Sequence, residues 1–107
     1  MILTPAAHVA GYRIRETLGL VRGNTIRARH VGRDIVASLK SIVGGEIQEY
    51  TKMMAESREQ AIDRMVAEAR SLGADAITDL HFTTSYVMGG AAEILAFGNA
   101  VKLEKDG

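Results

Sequence analysis

The feature that most constrains this fold is a long run of helical periodicity in the middle of the chain. After Glu46, apolar side chains recur every three or four residues, the spacing of one helix face. The members of this stripe are Ile47, Tyr50, Met54, Ala61, Met65, Ala69 and Leu72. Gly73 follows and predicts the helix end, because glycine adopts the left-handed conformation without a steric penalty. At about 1.5 Å per residue the helix is near 40 Å long.

The length and composition fit one compact domain, which we predict to cover residues 1–107. No cysteine is present, so disulfides and thiolate metal sites are excluded. The N-terminal residues lack a basic leader, and no stretch approaches the roughly 20 apolar residues of a membrane span. We therefore expect a cytoplasmic protein without a membrane partner.

Two strands are predicted before the helical part of the chain. Residues 12–21 alternate as a strand, and the alternation favours a three-residue turn at residues 23–25 followed by a returning strand. Four arginines then share the face away from the core: Arg13, Arg15, Arg27 and Arg29. This basic face predicts salt bridges to an acidic helix of a neighbouring copy or, alternatively, an anion or nucleic-acid site. A formal net charge of zero and the lack of a nucleic-acid motif disfavour nucleic acid.

A short helix is predicted over residues 35–43, with Asp34 as its cap and Gly44 as its end. Gly44 and Gly45 precede the long helix, where free backbone N–H groups can bind an anion. No Lys, Ser or Thr follows at the spacing of a phosphate loop. The glycine pair is therefore interpreted as helix punctuation.

Two further strands are predicted after the long helix, over residues 74–87 and 92–103. The last strand is apolar on both faces, and one layer of helix covers only one face of a sheet. The long helix also carries Met53, Ile62 and Val66 outside its main stripe. This apolar surplus predicts a homo-oligomer.

The predicted fold is α+β, with an antiparallel sheet packed on a long helix in two layers, in the order strand, strand, short helix, long helix, strand, strand. The segments "RDIVASLKSIVGG", "EYTKMMAESREQAIDRMVAEARSLGADAI" and "GNAVKL" resemble the YbjQ family, an uncharacterised group labelled as heavy-metal-binding. The resemblance also includes "GYRIRETLGLVRGNTI". It implies a subunit similar to that of dodecin, subunits assembled into a ring of five, and a metal ion or small ligand as partner.

Asp79 and His81 are the candidate metal ligands. They lie two residues apart on a predicted strand, so their side chains are expected on one face, and both types bind first-row metals. A third ligand would come from another element or a neighbouring copy, with His8 and His30 as candidates. His81 and Thr83 stand where many relatives carry aspartates, so a carboxylate site common to the family is not expected here.

No catalytic residues are identified, and we expect a protein that is not an enzyme. Ser85, His81 and Asp79 lie too far apart along one strand for a nucleophile to meet its base. The alternative is an enzyme whose active site is assembled between subunits.

Overall fold

The computed structural model describes residues 1–27, 45–87 and 91–106. These ranges hold four strands and one helix. The elements are β1 (Ile2–Leu3), β2 (Tyr12–Arg27), α1 (Gly45–Ser71), β3 (Ala76–Val87) and β4 (Ala91–Lys105). The predicted short helix at residues 35–43, its cap Asp34 and its end Gly44 lie outside the described residues.

The strands form one sheet in the order β1, β3, β4, β2. β4 pairs antiparallel with β3 on one side and with β2 on the other. β1 pairs parallel with β3, Ile2 opposite Ala76 and Leu3 opposite Ile77. The α+β class is confirmed, but the expectation of a purely antiparallel sheet is wrong, because the short strand β1 was not predicted and it makes the sheet mixed.

The hairpin predicted in the first quarter of the chain is wrong. β2 continues without a turn through residues 23–25, where Gly23 pairs with Ala96 and Asn24 with Leu95 of β4. α1 crosses β2 so closely at Gly23 that an added Cβ would overlap the Ala61 carbonyl oxygen and the Met65 amide nitrogen. Gly23 therefore allows the close approach of α1 to β2. The Gly-Asn sequence, which is typical of turns, does not form a turn here.

The helical stripe is confirmed where side chains are described. Ala61, Met65 and Ala69 are fully buried, and Met54 packs against the same core. Their partners on the sheet are Val21, Ile77, Ile94, Ala96 and Ala100. The Thr25 hydroxyl of β2 donates to the Ser57 carbonyl of α1 at 3.2 Å. The side chains of Ile47 and Tyr50 lie outside the described set.

The predicted helix end at Gly73 is confirmed, although the last helical residue is Ser71 and the predicted stripe extended to Leu72. α1 stops at Ser71, Gly73 has φ of +80°, and the Ala74 amide donates to the Ala69 carbonyl at 3.1 Å. Leu72 lies beyond the last helical residue and is 44% exposed, so its assignment to the core stripe is wrong.

α1 covers one face of the sheet and leaves apolar side chains on the other. Val21 and Thr25 are buried under the helix, so Leu20 and Ile26, which alternate with them along β2, face the opposite side. Both are 61% exposed. We call the sheet surface away from α1, centred on Leu20, Ile26 and the half-buried Leu95 and Phe97, the open face.

Candidate functional site

The candidate site is built around a β-bulge in β3. Thr78 pairs with Asn99 of β4 and His81 pairs with Phe97, so the two residues Asp79 and Leu80 lie opposite the single residue Gly98. Asp79 has φ of 53°, in the left-handed region that few residues other than glycine adopt. The chain therefore bends and changes its alternation immediately before His81.

Two sequence features permit this bulge. Aspartate tolerates the left-handed conformation better than most side chains do. Gly98 lets the strands approach, since a Cβ there would lie 2.6 Å from Ile77 Cγ2 and 2.8 Å from the Thr78 carbonyl oxygen. The Asp79 carboxylate accepts from Asn99 Nδ2 at 3.1 Å and from the Thr78 hydroxyl at 3.3 Å.

His81 is held on the open face by two contacts. Its Nδ1 lies 2.8 Å from the backbone carbonyl oxygen of Asp79. Its ring stacks on Phe97, with centroids 5.9 Å apart and planes inclined by 20°. Because a carbonyl oxygen only accepts, Nδ1 carries the proton and the lone pair is on Nε2. An exposed imidazole anchored in this way is prepared to bind a metal ion or to accept a hydrogen bond.

Because of the bulge, the argument that placed the Asp79 and His81 side chains together as metal ligands is wrong. Regular alternation was expected to place their side chains together, but alternation is interrupted at Asp79. The group of Asp79 that contacts His81 is the backbone carbonyl, whereas its carboxylate is bonded to Asn99 and Thr78. Metal binding by Asp79 and His81 stays a prediction.

The other two histidines add no third ligand within the described structure. His8 lies in the exposed segment before β2, in a concave region of about 490 Å³ that also includes Tyr12, Arg13 and Asp106. His30 lies outside the described residues. Across residues 1–27, 45–87 and 91–106, no three His, Cys, Asp or Glu side chains are placed to hold a metal ion together.

This donor set fits some ions and not others. The chain has no cysteine, so a thiophilic heavy metal would find no thiolate anywhere in it. An exposed imidazole fits a borderline divalent ion such as Zn²⁺, provided that other donors complete the coordination. His81 therefore offers one oriented nitrogen donor, which does not by itself make a metal site.

The four arginines do not form one cluster, because the hairpin that would have gathered them does not exist. Arg13 is the second residue of β2 and Arg27 is its last, so the two lie roughly 45 Å apart at about 3.3 Å per residue. Arg13 pairs with Glu104 of β4, and Arg15 falls at an irregularity in the pairing of β2. Arg29 lies outside the described residues. Anion binding by any of these arginines stays a prediction.

Sequence reasoning missed Phe97, Gly98 and Asn99, which support His81 from β4. One signal was present, because a glycine inside a strand pattern indicates a bulge or a close backbone approach. The asparagine after it supplied a polar side chain next to that position. Their connection with Asp79 depends on strand register, which the sequence left open.

In the parts of the chain that the structure describes, no helix is both long enough and apolar enough to span a membrane.

Residues 1–104 match the model of a protein family, YbjQ, whose description is "Putative heavy-metal-binding". A UPF0145 protein of Methanoculleus marisnigri is 57% identical over 103 residues, which cover 96% of each chain. A UPF0145 protein of Thermotoga maritima is 52% identical over 105 residues, or 98% of this chain and 99% of the relative.

One solved structure shows the same fold at low sequence similarity. It is a Pediococcus pentosaceus protein of unknown function from the DUF74 family, with a TM-score of 0.65 and 17% identity. The match covers 97% of this chain and 98% of that one. At this identity the likeness concerns the fold alone.

Proposed function

Because this chain belongs to the YbjQ family, we propose that it is a non-enzymatic, cytoplasmic subunit of a homo-oligomeric ring that binds a divalent metal ion or small ligand between copies. His81 is the ligand that each copy supplies. The ring of five implied by the resemblance is part of this proposal.

The observation that carries the proposal is the anchored imidazole of His81. A histidine that binds a metal usually donates its other ring N–H to a carbonyl or carboxylate, which fixes the ring and its tautomer. His81 has this arrangement through the Asp79 carbonyl, and the Phe97 ring restricts its tilt. Its exposed lone pair is therefore oriented before any ligand arrives.

The need for a second copy follows from the incomplete donor set. Ligands from a neighbouring subunit would supply what the described part of one chain lacks. The open face, where His81 lies, also carries Leu20 and Ile26 in exposed positions, which favours contact with another protein surface.

The dimensions of the subunit also support assembly. The Cα atoms have a radius of gyration of 17.4 Å and extents of 60 × 24 × 17 Å. A compact domain of this length would have a radius of gyration near 13 Å, estimated as about 2.2·N^0.38. An elongated two-layer subunit buries less of its own apolar surface, and contacts with other copies would compensate.

Zinc titration of chelator-treated protein by calorimetry tests the metal proposal. We expect His81→Ala to weaken zinc binding by more than about tenfold, since it removes the ligand itself. Ser85→Ala is the matched control, because Ser85 is an exposed residue of the same strand and a serine hydroxyl is not a usual zinc ligand; it is expected to bind zinc as the unmodified chain does. Equal binding by both variants would contradict the assignment.

Native mass spectrometry of protein purified without chelator tests the assembly together with its ligand. The expected species is a homo-oligomer, with five copies as the specific expectation, carrying bound ions or a small molecule. A monomer at micromolar concentration would contradict the ring, whatever the result of the zinc titration.

A further inference from the structure

We infer that Asn99 and the backbone of residues 4–6 are positioning groups that fix His81 in the tautomer with the proton on Nδ1. The inference concerns this chain without any metal, and only its consequence for ligand binding rests on the proposed function. It follows from the hydrogen bonds that hold the bulge.

The first step concerns the bulge amides. Because Asp79 and Leu80 share one opposite residue in β4, the ladder does not pair them regularly. Carbonyl groups of the N-terminal segment accept these hydrogen bonds instead. The Asp79 amide donates to the Ala6 carbonyl at 3.0 Å, and the Leu80 amide donates to the Thr4 carbonyl at 3.1 Å. The segment is itself fixed, since the Thr4 amide donates to the Ile77 carbonyl at 3.0 Å.

The second step concerns the Asp79 side chain. Asn99 Nδ2 donates to its carboxylate at 3.1 Å across the strand pair. A half-buried carboxylate requires such a donor, because burial without one is unfavourable. Asn99 therefore ties the left-handed residue to β4 from the side opposite the N-terminal segment.

The third step follows from the direction of the Asp79 carbonyl. The Asp79 carbonyl shares its peptide plane with the Leu80 amide, which is bonded to the Thr4 carbonyl, so this plane has little freedom to rotate. The Asp79 amide and carboxylate are bonded as well, and the carbonyl oxygen faces His81 Nδ1. Only the tautomer with hydrogen on Nδ1 satisfies this contact. Nε2 is then the sole ring atom available to a cation or to a hydrogen-bond donor.

The tautomer ratio can be measured by long-range ¹H–¹⁵N NMR on metal-free protein near pH 8, where an ordinary imidazole is mostly neutral. We expect the Nδ1–H form to exceed the Nε2–H form by about five- to tenfold, the ratio that one hydrogen bond of ordinary net strength produces. Asn99→Ala is expected to lower this ratio at least about threefold. Comparable amounts of both forms in the unmodified chain would overturn the inference.

Asn24→Ala is the matched control. Asn24 Nδ2 donates to the Glu93 carboxylate at 3.1 Å, so this variant removes the same kind of cross-strand pair away from the bulge. Its tautomer ratio is expected to stay at the unmodified value. If Asn24→Ala and Asn99→Ala change the ratio equally, Asn99 has no specific positioning effect and the assignment is wrong.

Asp79→Asn separates hydrogen bonding from charge. Asparagine tolerates positive φ and keeps a side-chain oxygen that can accept from Asn99 Nδ2, so the Nδ1–H preference should persist. A loss of the preference in Asp79→Asn would contradict the hydrogen-bonding mechanism. Leu80→Pro removes the amide that donates to the Thr4 carbonyl. An unchanged ratio in folded Leu80→Pro protein would remove residues 4–6 from the assignment.

Separate outcomes identify which idea fails. A fixed tautomer in a protein that does not bind zinc would refute the proposed metal binding and leave the positioning inference standing. If His81→Ala loses zinc binding but the unmodified chain contains both tautomers in comparable amounts, the metal proposal stands and the positioning inference is refuted.

Discussion

Single glycines determine how closely neighbouring elements of this protein approach. At Gly23 the backbone of α1 lies directly on β2, and at Gly98 the backbone of β3 lies against β4. In both places the nearest atoms include backbone, which cannot rotate away as a side chain can. Each glycine is therefore required by its neighbours.

We expect Gly23→Ala to lower the free energy of unfolding by about 1–3 kcal/mol, because the added methyl forces α1 away from the sheet. Urea denaturation at a fixed protein concentration measures this change. Asn24→Ala is the control, since its side chain points to the open face; its effect should stay below about 1 kcal/mol. Equal losses in both variants would contradict the close-packing explanation.

The candidate site could be predicted only in part at this scale. His81 was identified by its residue type, and it is the residue that the structure orients. The reason given for it was incomplete, because the left-handed Asp79 and the carbonyl contact depend on a register shift against Gly98. A periodicity of two does not reveal where one strand gains an extra residue.

Among the elements, α1 was the most predictable and β2 the least. The stripe of α1 recurs over several turns, so no single residue decides the assignment, and its core members are buried as expected. β2 was divided by a Gly-Asn pair that is typical of turns, whereas β4 is long enough to pair with the whole strand. The identity and length of a strand's partner are tertiary information that local turn chemistry does not contain.

Truncation of the helical stripe tests the packing of α1. Met65→Ala is expected to cost about 2–5 kcal/mol of unfolding free energy, because Met65 is fully buried between α1 and the sheet. Ile62→Ala, three residues earlier and half-buried, serves as the control with a smaller expected loss. Chemical denaturation of both variants gives the comparison, and a larger loss at Ile62 would place the core on the wrong helix face.

At the scale of the whole molecule, the open face is the sheet surface that the described elements leave uncovered. It combines exposed aliphatic side chains with the anchored imidazole of His81. In the proposed assembly, a contact between copies on this face would bury the aliphatic side chains and add further ligands to His81. Assembly and ligand binding would then depend on each other.

We expect the double variant Leu20→Glu with Ile26→Glu to prevent the proposed assembly, because it places two carboxylates in the proposed contact surface. Both side chains are 61% exposed, so the subunit fold should persist. Ala67→Glu is the control, since it introduces the same side chain at an exposed position of α1. Light scattering at micromolar concentration measures the mass, and an unchanged mass in the double variant would exclude the open face as the contact.

The position of β2 has a further consequence for a newly synthesised chain. β2 is an outer strand of the described sheet, and its pairing with β4 is irregular near Arg15 and Leu18 but regular from residue 19 to residue 27. Irregular pairing protects an edge strand from pairing with other chains, whereas a regular edge strand presents a row of unpaired backbone groups, here with Arg22 and Arg27 as its charged residues. Inclusion bodies formed during rapid overproduction should therefore begin at residues 19–27, where a lysine would improve the yield of dispersed protein.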